Sequence, residues 1–254
     1  MPTGALTGTP ATVVRMVLDP RGALLESARD CEAEVFGRWY GNTRAQLDDE
    51  YGPYADASVF LALADDADRV VAAVRLLAPG GVAGLKTLVD LGRAPWYLDG
   101  RRVAAAAGMD LASTWEVATL GVRPGAGVRD VPLALALYHG LALVARANRM
   151  SAFVAILDER VRRLLASVGL RTQALPGATT APYLGSAAST PVHARCGPLV
   201  AHQRRACPDA YRLVTLGIGL DAVAVPPPGS FRLRAGRVPS GRATPGPPTS
   251  GAPR

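Results

Sequence analysis

The chain has 254 residues, of which 49% are hydrophobic, 19% charged and 6% aromatic, a composition that excludes intrinsic disorder because it can bury a core. No apolar run approaches the ~18 residues that span a bilayer, and residues 1–10 lack the order of a signal peptide. A cytoplasmic protein without stable membrane insertion is therefore expected. Three cysteines do not make a disulfide framework. The formal charge of +7 is uneven, because residues 226–254 hold five arginines and no acid. Residues 1–225 keep 23 basic and 21 acidic groups, and so near-neutral a body argues against a nucleic-acid partner. The cations are almost all arginine, as in proteins of GC-rich genomes, and Lys86 is the lone lysine.

The last 29 residues contain eight prolines and five glycines, too few apolar groups to fold on their own. Three segments are expected: a disordered start at 1–10, one folded domain at 11–225 and a disordered tail at 226–254. The elements of the domain follow from periodicity. Thr12–Leu18 reads as a strand, Arg21–Arg38 as a helix and Asp48–Asp56 as an acidic loop. Ser58–Ala64 and Arg69–Ala78 read as paired strands around an Asp-rich turn. Residues 79–110 give no clear pattern beyond a helix near their end. Thr114–Val122 reads as a strand, Arg123–Asp130 as a glycine-rich turn, and Val131–Asn148 as an apolar helix. Ala152–Leu157 is a buried strand, Glu159–Ser167 a helix and Leu170–Leu175 a strand. A helix over Pro198–Cys207 and a strand over Tyr211–Gly217 complete a mixed α/β domain.

The chemistry concentrates in Trp115–Gly127, a strand leading into a Gly-x-Gly turn and a helix. Backbone N–H groups at such a turn suit a pyrophosphate, and glycines allow close approach. This order of elements resembles the GNAT acyltransferase superfamily. Its N-terminal half resembles the branch of acyl-homoserine-lactone synthases and long-chain N-acyl amino acid synthases. The residues that carry the likeness are Val35-Phe36 before Arg38-Trp39, Asp48-Asp49-Glu50-Tyr51, Val74-Arg75-Leu76-Leu77-Ala78-Pro79, and Glu116 in its strand. Together they extend over roughly residues 12–200.

The resemblance implies a mostly antiparallel sheet, splayed between its fourth and fifth strands and flanked by helices on both faces. It implies transfer of an acyl group, fatty rather than acetyl, from an acyl-CoA or acyl-carrier-protein thioester to a small-molecule amine such as an amino acid. Glu116 and Asp49 are the candidate catalytic residues. Arg75, Trp39 and Phe36 are the candidate acceptor contacts. Leu120, Val122, Arg123, Gly125, Gly127 and Arg129 would hold the donor. No tightly bound cofactor and no metal are expected, although His193, Cys196, His202 and Cys207 lie close in sequence.

The chain departs from the branch pattern at three places. Ala118 and Thr119 replace a Ser-Arg pair, Gly52 replaces an Asp, and Leu165 stands where ordinary acetyltransferases carry a tyrosine. Two other readings therefore stand beside the first: an acetyl-CoA-dependent N-acetyltransferase, and a non-catalytic acyl-thioester-binding protein. For Glu116 and Arg75 the plainer reading is a structural ion pair.

Overall fold

A computed structural model describes residues 14–126 and 132–233. Nine strands form one sheet. They are β1 (Val14–Leu18), β2 (Ser58–Ala64), β3 (Val70–Leu77), β4 (Thr114–Val122), β5 (Ala152–Asp158), β6 (Gln173–Ala174), β7 (Ala181–Tyr183), β8 (Ser186–Arg195) and β9 (Val223–Ala224). Their spatial order is β6-β8-β5-β4-β3-β2-β1-β9, with β7 paired to β8. Only the β1–β9 and β4–β5 pairs are parallel. Every residue of β3 is buried, Arg75 included, as expected of a mostly apolar strand covered on both faces.

Four helices cover one face: α1 (Ala23–Tyr40), α2 (Arg44–Tyr51), α3 (Lys86–Asp90) and α4 (Gly100–Ala106). The other face carries α5 (Leu133–Ala147), α6 (Glu159–Ser167), α7 (Cys196–Ala206) and α8 (Pro208–Val214). The main core lies between the sheet and α5, where Met16, Leu61, Trp115, Leu137 and Val144 meet. Alanines and Cys31 fill the layer under α1. The helix crosses β4 so closely that a Cβ on Gly121 would come within 2.5 Å of the Val35 side chain.

Several sequence expectations need correction. The acidic stretch from Asp48 belongs to helix α2, which opens on a reciprocal Thr43–Gln46 capping box. Tyr211–Gly217 is helical over its first part, because Pro208 sits in the first turn of α8. Leu170–Leu175 contributes only the two residues of β6. The long strand β8 gave little signal, being rich in small residues and interrupted by Pro191. That proline turns its carbonyl toward Leu175, which donates to it at 2.9 Å. Its missing N–H faces the same side, so β6 stops at Ala174 and the pairing with β5 is intact.

The boundary expected at 225 lies inside packed chain. A 3-10 turn at Pro228–Phe231 folds back on α5. Phe231 is fully buried, and Asn148 clamps the turn by donating to Phe231 C=O at 2.8 Å and accepting from Leu233 N–H at 3.0 Å. Two large apolar side chains, Phe231 and Leu233, offset a composition that otherwise reads as a linker.

Candidate active site

β4 and β5 pair only at Thr114–Glu116 with Ala152–Val154. Beyond Glu116 the strands part, β4 following β3 and β5 following β8. A register shift between Arg75 and Leu76 leaves Ala118 without a partner on β3. This bulge places Ala118 and Thr119 successively toward α1–α3 and returns Leu120 to the α5 face. At the end of the strand Arg123 N–H donates to Val71 C=O at 2.8 Å, and Val122 lies opposite Ala72. Alternation along an antiparallel ladder then turns the N–H groups of Leu120 and Val122 away from β3, toward the edge that β5 has left.

Two cavities meet at this opening. The larger, about 490 Å³, lies between the parted strands and helices α5–α8. Its walls are apolar: Phe153, Ala155 and Leu157 from β5, Leu141 and Ala145 from α5, Leu165 from α6 and Leu199 from α7. Leu165, where an acetyltransferase tyrosine would fall, is thus part of an apolar wall. The smaller cavity, about 70 Å³, lies on the α1–α2 side and is lined by Phe36, Tyr40, Tyr51, Tyr183 and Asp158. Val117, Leu120, Leu157 and Val161 line both, so the gap between β4 and β5 separates an apolar chamber from a polar, aromatic one.

Glu116 is buried beneath this gap on the α3 side. Its carboxylate accepts from Thr87 N–H at 2.9 Å and from Thr87 Oγ1 at 3.0 Å. Burial pushes its pKa up to about 7, against the opposing pull of the Thr87 hydrogen bonds and the Lys86 charge. Glu116 does not pair with Arg75. The Arg75 fork instead grips Glu32 of α1, with Nε donating to Oε1 at 2.9 Å and a second bond from NH2 to Oε2. The guanidinium is stacked between the Tyr51 and Phe60 rings, 4.5 and 4.6 Å from their centroids, and Thr119 Oγ1 also donates to Glu32. A bidentate acceptor contact at Arg75 would have to displace Glu32.

The other candidates divide by placement. Phe36 reaches the small cavity, where its ring lies 5.3 Å from that of Tyr40. Trp39 is 57% exposed and points outward. Asp49 is exposed on α2. Leu47 and Tyr51, one turn apart, face inward, which turns the intervening Asp49 to the far side of the helix. Arg123 is buried and committed to protein partners, donating to Val70 C=O at 2.9 Å and pairing with Glu34. Gly125 takes a positive φ of 69° in a turn closed from Ala126 N–H to Arg123 C=O, as a Pro-Gly type II turn requires. Gly127 and Arg129 lie outside the described residues. Among the described residues no group of three metal-ligating side chains converges. Cys196 instead lines the apolar cavity, and the buried His139 is satisfied by Val214 C=O at 2.9 Å.

Sequence reasoning missed the groups around Glu116. Lys86 is 3% exposed. Its ammonium contacts Asp90 Oδ2 at 2.5 Å, Glu50 Oε2 at 2.8 Å and the Tyr183 hydroxyl at 2.9 Å. Tyr183 in turn donates to Asp90. Burial and the Asp90 charge push the Tyr183 phenol far above its ordinary value, and Tyr54 rises to about 12, chiefly through burial. The available signals were the uniqueness of Lys86 in an arginine-rich chain and its i,i+4 spacing to Asp90.

A mixed sheet opened between a parallel β4–β5 pair and covered by helices on both faces is the GNAT fold. Within that fold the chain is similar to a CoA-dependent acyl-homoserine lactone synthase, BjaI, solved with SAM and isopentyl-CoA. The two share 15% identity over 87% of this chain and 97% of that chain, with a TM-score of 0.54. It is similar also to FeeM, an N-acyl amino acid synthase from uncultured soil microbes, at 10% identity, 77% and 96% coverage and a TM-score of 0.54. At these identities the likeness is one of fold. No protein-family profile matches the chain, and no curated protein sequence matches it.

Proposed function

We propose that this protein is an N-acyltransferase that moves a fatty acyl group from a thioester to the amine of an amino acid or a related small molecule. The observation that carries this reading is the apolar cavity of about 490 Å³ opening onto the β4–β5 gap. Apolar walls of that extent suit an acyl chain and leave nothing for an acetyl group to fill. The similar structures support the scaffold, one of them having been solved with isopentyl-CoA.

The reaction needs a neutral amine and a stabilised oxyanion. Glu116 is the base of this proposal. It lies beneath the cavity walls and takes the acceptor's proton through water, and its pKa of about 7 suits that task. The amine nitrogen then bonds to the thioester carbon. In this reading the N–H groups of Leu120 and Val122, turned toward the gap, bind the oxyanion. As the tetrahedral intermediate collapses, the C–S bond breaks and the thiol leaves with a proton from the nitrogen. The glycine turn after β4 is the donor's phosphate end in this reading, and coenzyme A and an acyl carrier protein both remain candidate carriers. A cytoplasmic setting, where such thioesters occur, fits the reading.

The test is a panel of acyl-CoAs from two to sixteen carbons offered with mixed amines, read by thiol release and product mass. Transfer that favours chains of eight carbons or more is the expected result. Failure to bind any donor by calorimetry would overturn the proposal, and a preference for acetyl would redirect it to an ordinary acetyltransferase.

A further inference from the structure

We propose that Lys86 is a positioning residue, whose ammonium holds the neighbouring Glu116 carboxyl in its charged, proton-accepting form. The inference deepens the acyl-transfer reading, in which Glu116 is the base.

The chain contains 27 arginines and one lysine, and that lysine is among its most buried charged residues. Elsewhere in the interior the same need for a cation is met by arginine. Arg75 and Arg123 both lie flat against carboxylates or carbonyls that match a planar fork. At position 86 the acceptors are arranged differently. Asp90, Glu50 and the Tyr183 hydroxyl converge on one nitrogen, which matches the three protons of an ammonium one for one. A guanidinium cannot place all its donors on such a point, so the site demands lysine.

Burying Lys86 and Asp90 is costly, since both lose their hydration while Glu50 stays 39% exposed, and a well-packed apolar cluster would stabilise a fold at least as well. The compensation lies next door. Thr87, the following residue, makes both hydrogen bonds to Glu116, so α3 brings the charge and the hydrogen bonds together. The charges of Lys86 and Asp90 from α3 act on Glu116, and its own charge acts on Tyr51, Tyr54 and Tyr183, while Glu50 meets Lys86 and Arg93 meets Asp90. Behind Tyr51 lies the Glu32–Arg75 pair. Among these Lys86 is the cation whose charge bears on Glu116 directly, lowering the proton affinity that burial and Asp90 raise. With Lys86 neutralised, burial and Asp90 would leave a smaller fraction of Glu116 ionised at neutral pH and able to accept a proton.

Because lysine occurs once, protein labelled with [ε-13C]lysine carries a single lysine signal. The expected result is an inflection of that signal near pH 7 in the wild-type chain, absent in Glu116→Gln. A wild-type signal with no such inflection, or one that persists in Glu116→Gln, would overturn the inference. The kinetic counterpart is Lys86→Met, which should move the acid limb of kcat/KM upward by about one pH unit, roughly a tenfold loss below the limb. Lys86→Arg should move it less. An unchanged limb in folded Lys86→Met would also overturn it. If Lys86→Met does not fold, the NMR titration decides alone. An inactive wild-type protein would count against acyl transfer, and the lysine signal would still report whether the two charges are coupled.

Discussion

Glu116 shows how one side chain becomes chemically distinct through its surroundings. A buried carboxyl that accepts two hydrogen bonds from Thr87 is held at a pKa of about 7, above its ordinary 4.5. Replacement by Gln preserves the shape and can still accept from Thr87 N–H, with its NH2 donating to the Thr87 hydroxyl, but it removes the proposed base. Glu116→Gln should lower kcat by about 10²–10⁴-fold with donor affinity by calorimetry unchanged. The same group makes stability depend on pH. The native state retains a proton that the unfolded chain loses near pH 4.5, so the contribution is full below that value and disappears as pH rises through about 7. The melting temperature of Glu116→Gln should therefore rise relative to wild type between pH 5 and pH 8. A constant difference across that range would show that the carboxyl is not shifted. Arg75 is the contrasting case at this scale. Its buried pairing with Glu32 and its stacking on Tyr51 and Phe60 make it a tie between α1, α2 and the sheet.

At the scale of elements the proposed function rests on strands β4 and β5. Three residue pairs hold them together, the Ala118 bulge redirects the rest of β4, and the edge so opened is covered by the helices that wall the apolar cavity. Chain-length selection should then reside in those helices. Ala145 of α5 lines the cavity, and Ala145→Phe would occupy space that a long acyl chain needs. The expected outcome is a shift toward shorter donors, with kcat/KM for dodecanoyl-CoA falling about tenfold or more while butyryl-CoA changes little. Equal losses for both donors would place the acyl chain elsewhere. Periodicity alone identified β2, β3, β4, α5 and β5, since each is rich in apolar residues over seven or more positions. It missed β8, whose small residues and Pro191 carry no such signal although the strand lies between β5 and β6.

For the whole molecule, the C-terminal segment is part of the fold at least to Leu233. It returns a parallel strand to β1 and seats Phe231 against α5 through the Asn148 clamp. Phe231→Ala should cost about 3–5 kcal/mol of stability by denaturant unfolding, and ending the chain after Val225 should cost at least as much. A loss below about 1 kcal/mol would return the boundary to 225. Among the described residues no helix is long and apolar enough to cross a membrane. The positive charge of the chain bears little on its site, where Arg75, Lys86 and Arg123 are each paired with acids from another element.

Local order in the chain was enough to determine the class of fold and to single out Glu116 as a candidate. The alternation of apolar strands and helices, with Glu116 in the strand before a Pro-Gly turn, is a property of neighbouring residues and is legible as such. Tertiary structure decided which charges meet. Glu32 lies 43 residues from Arg75 and Tyr183 lies 97 from Lys86, so neither partnership leaves a local pattern. Only the folded chain, by burying these groups, brings the lone lysine against Glu50 and Tyr183 and lifts Glu116 out of the ordinary carboxylate range.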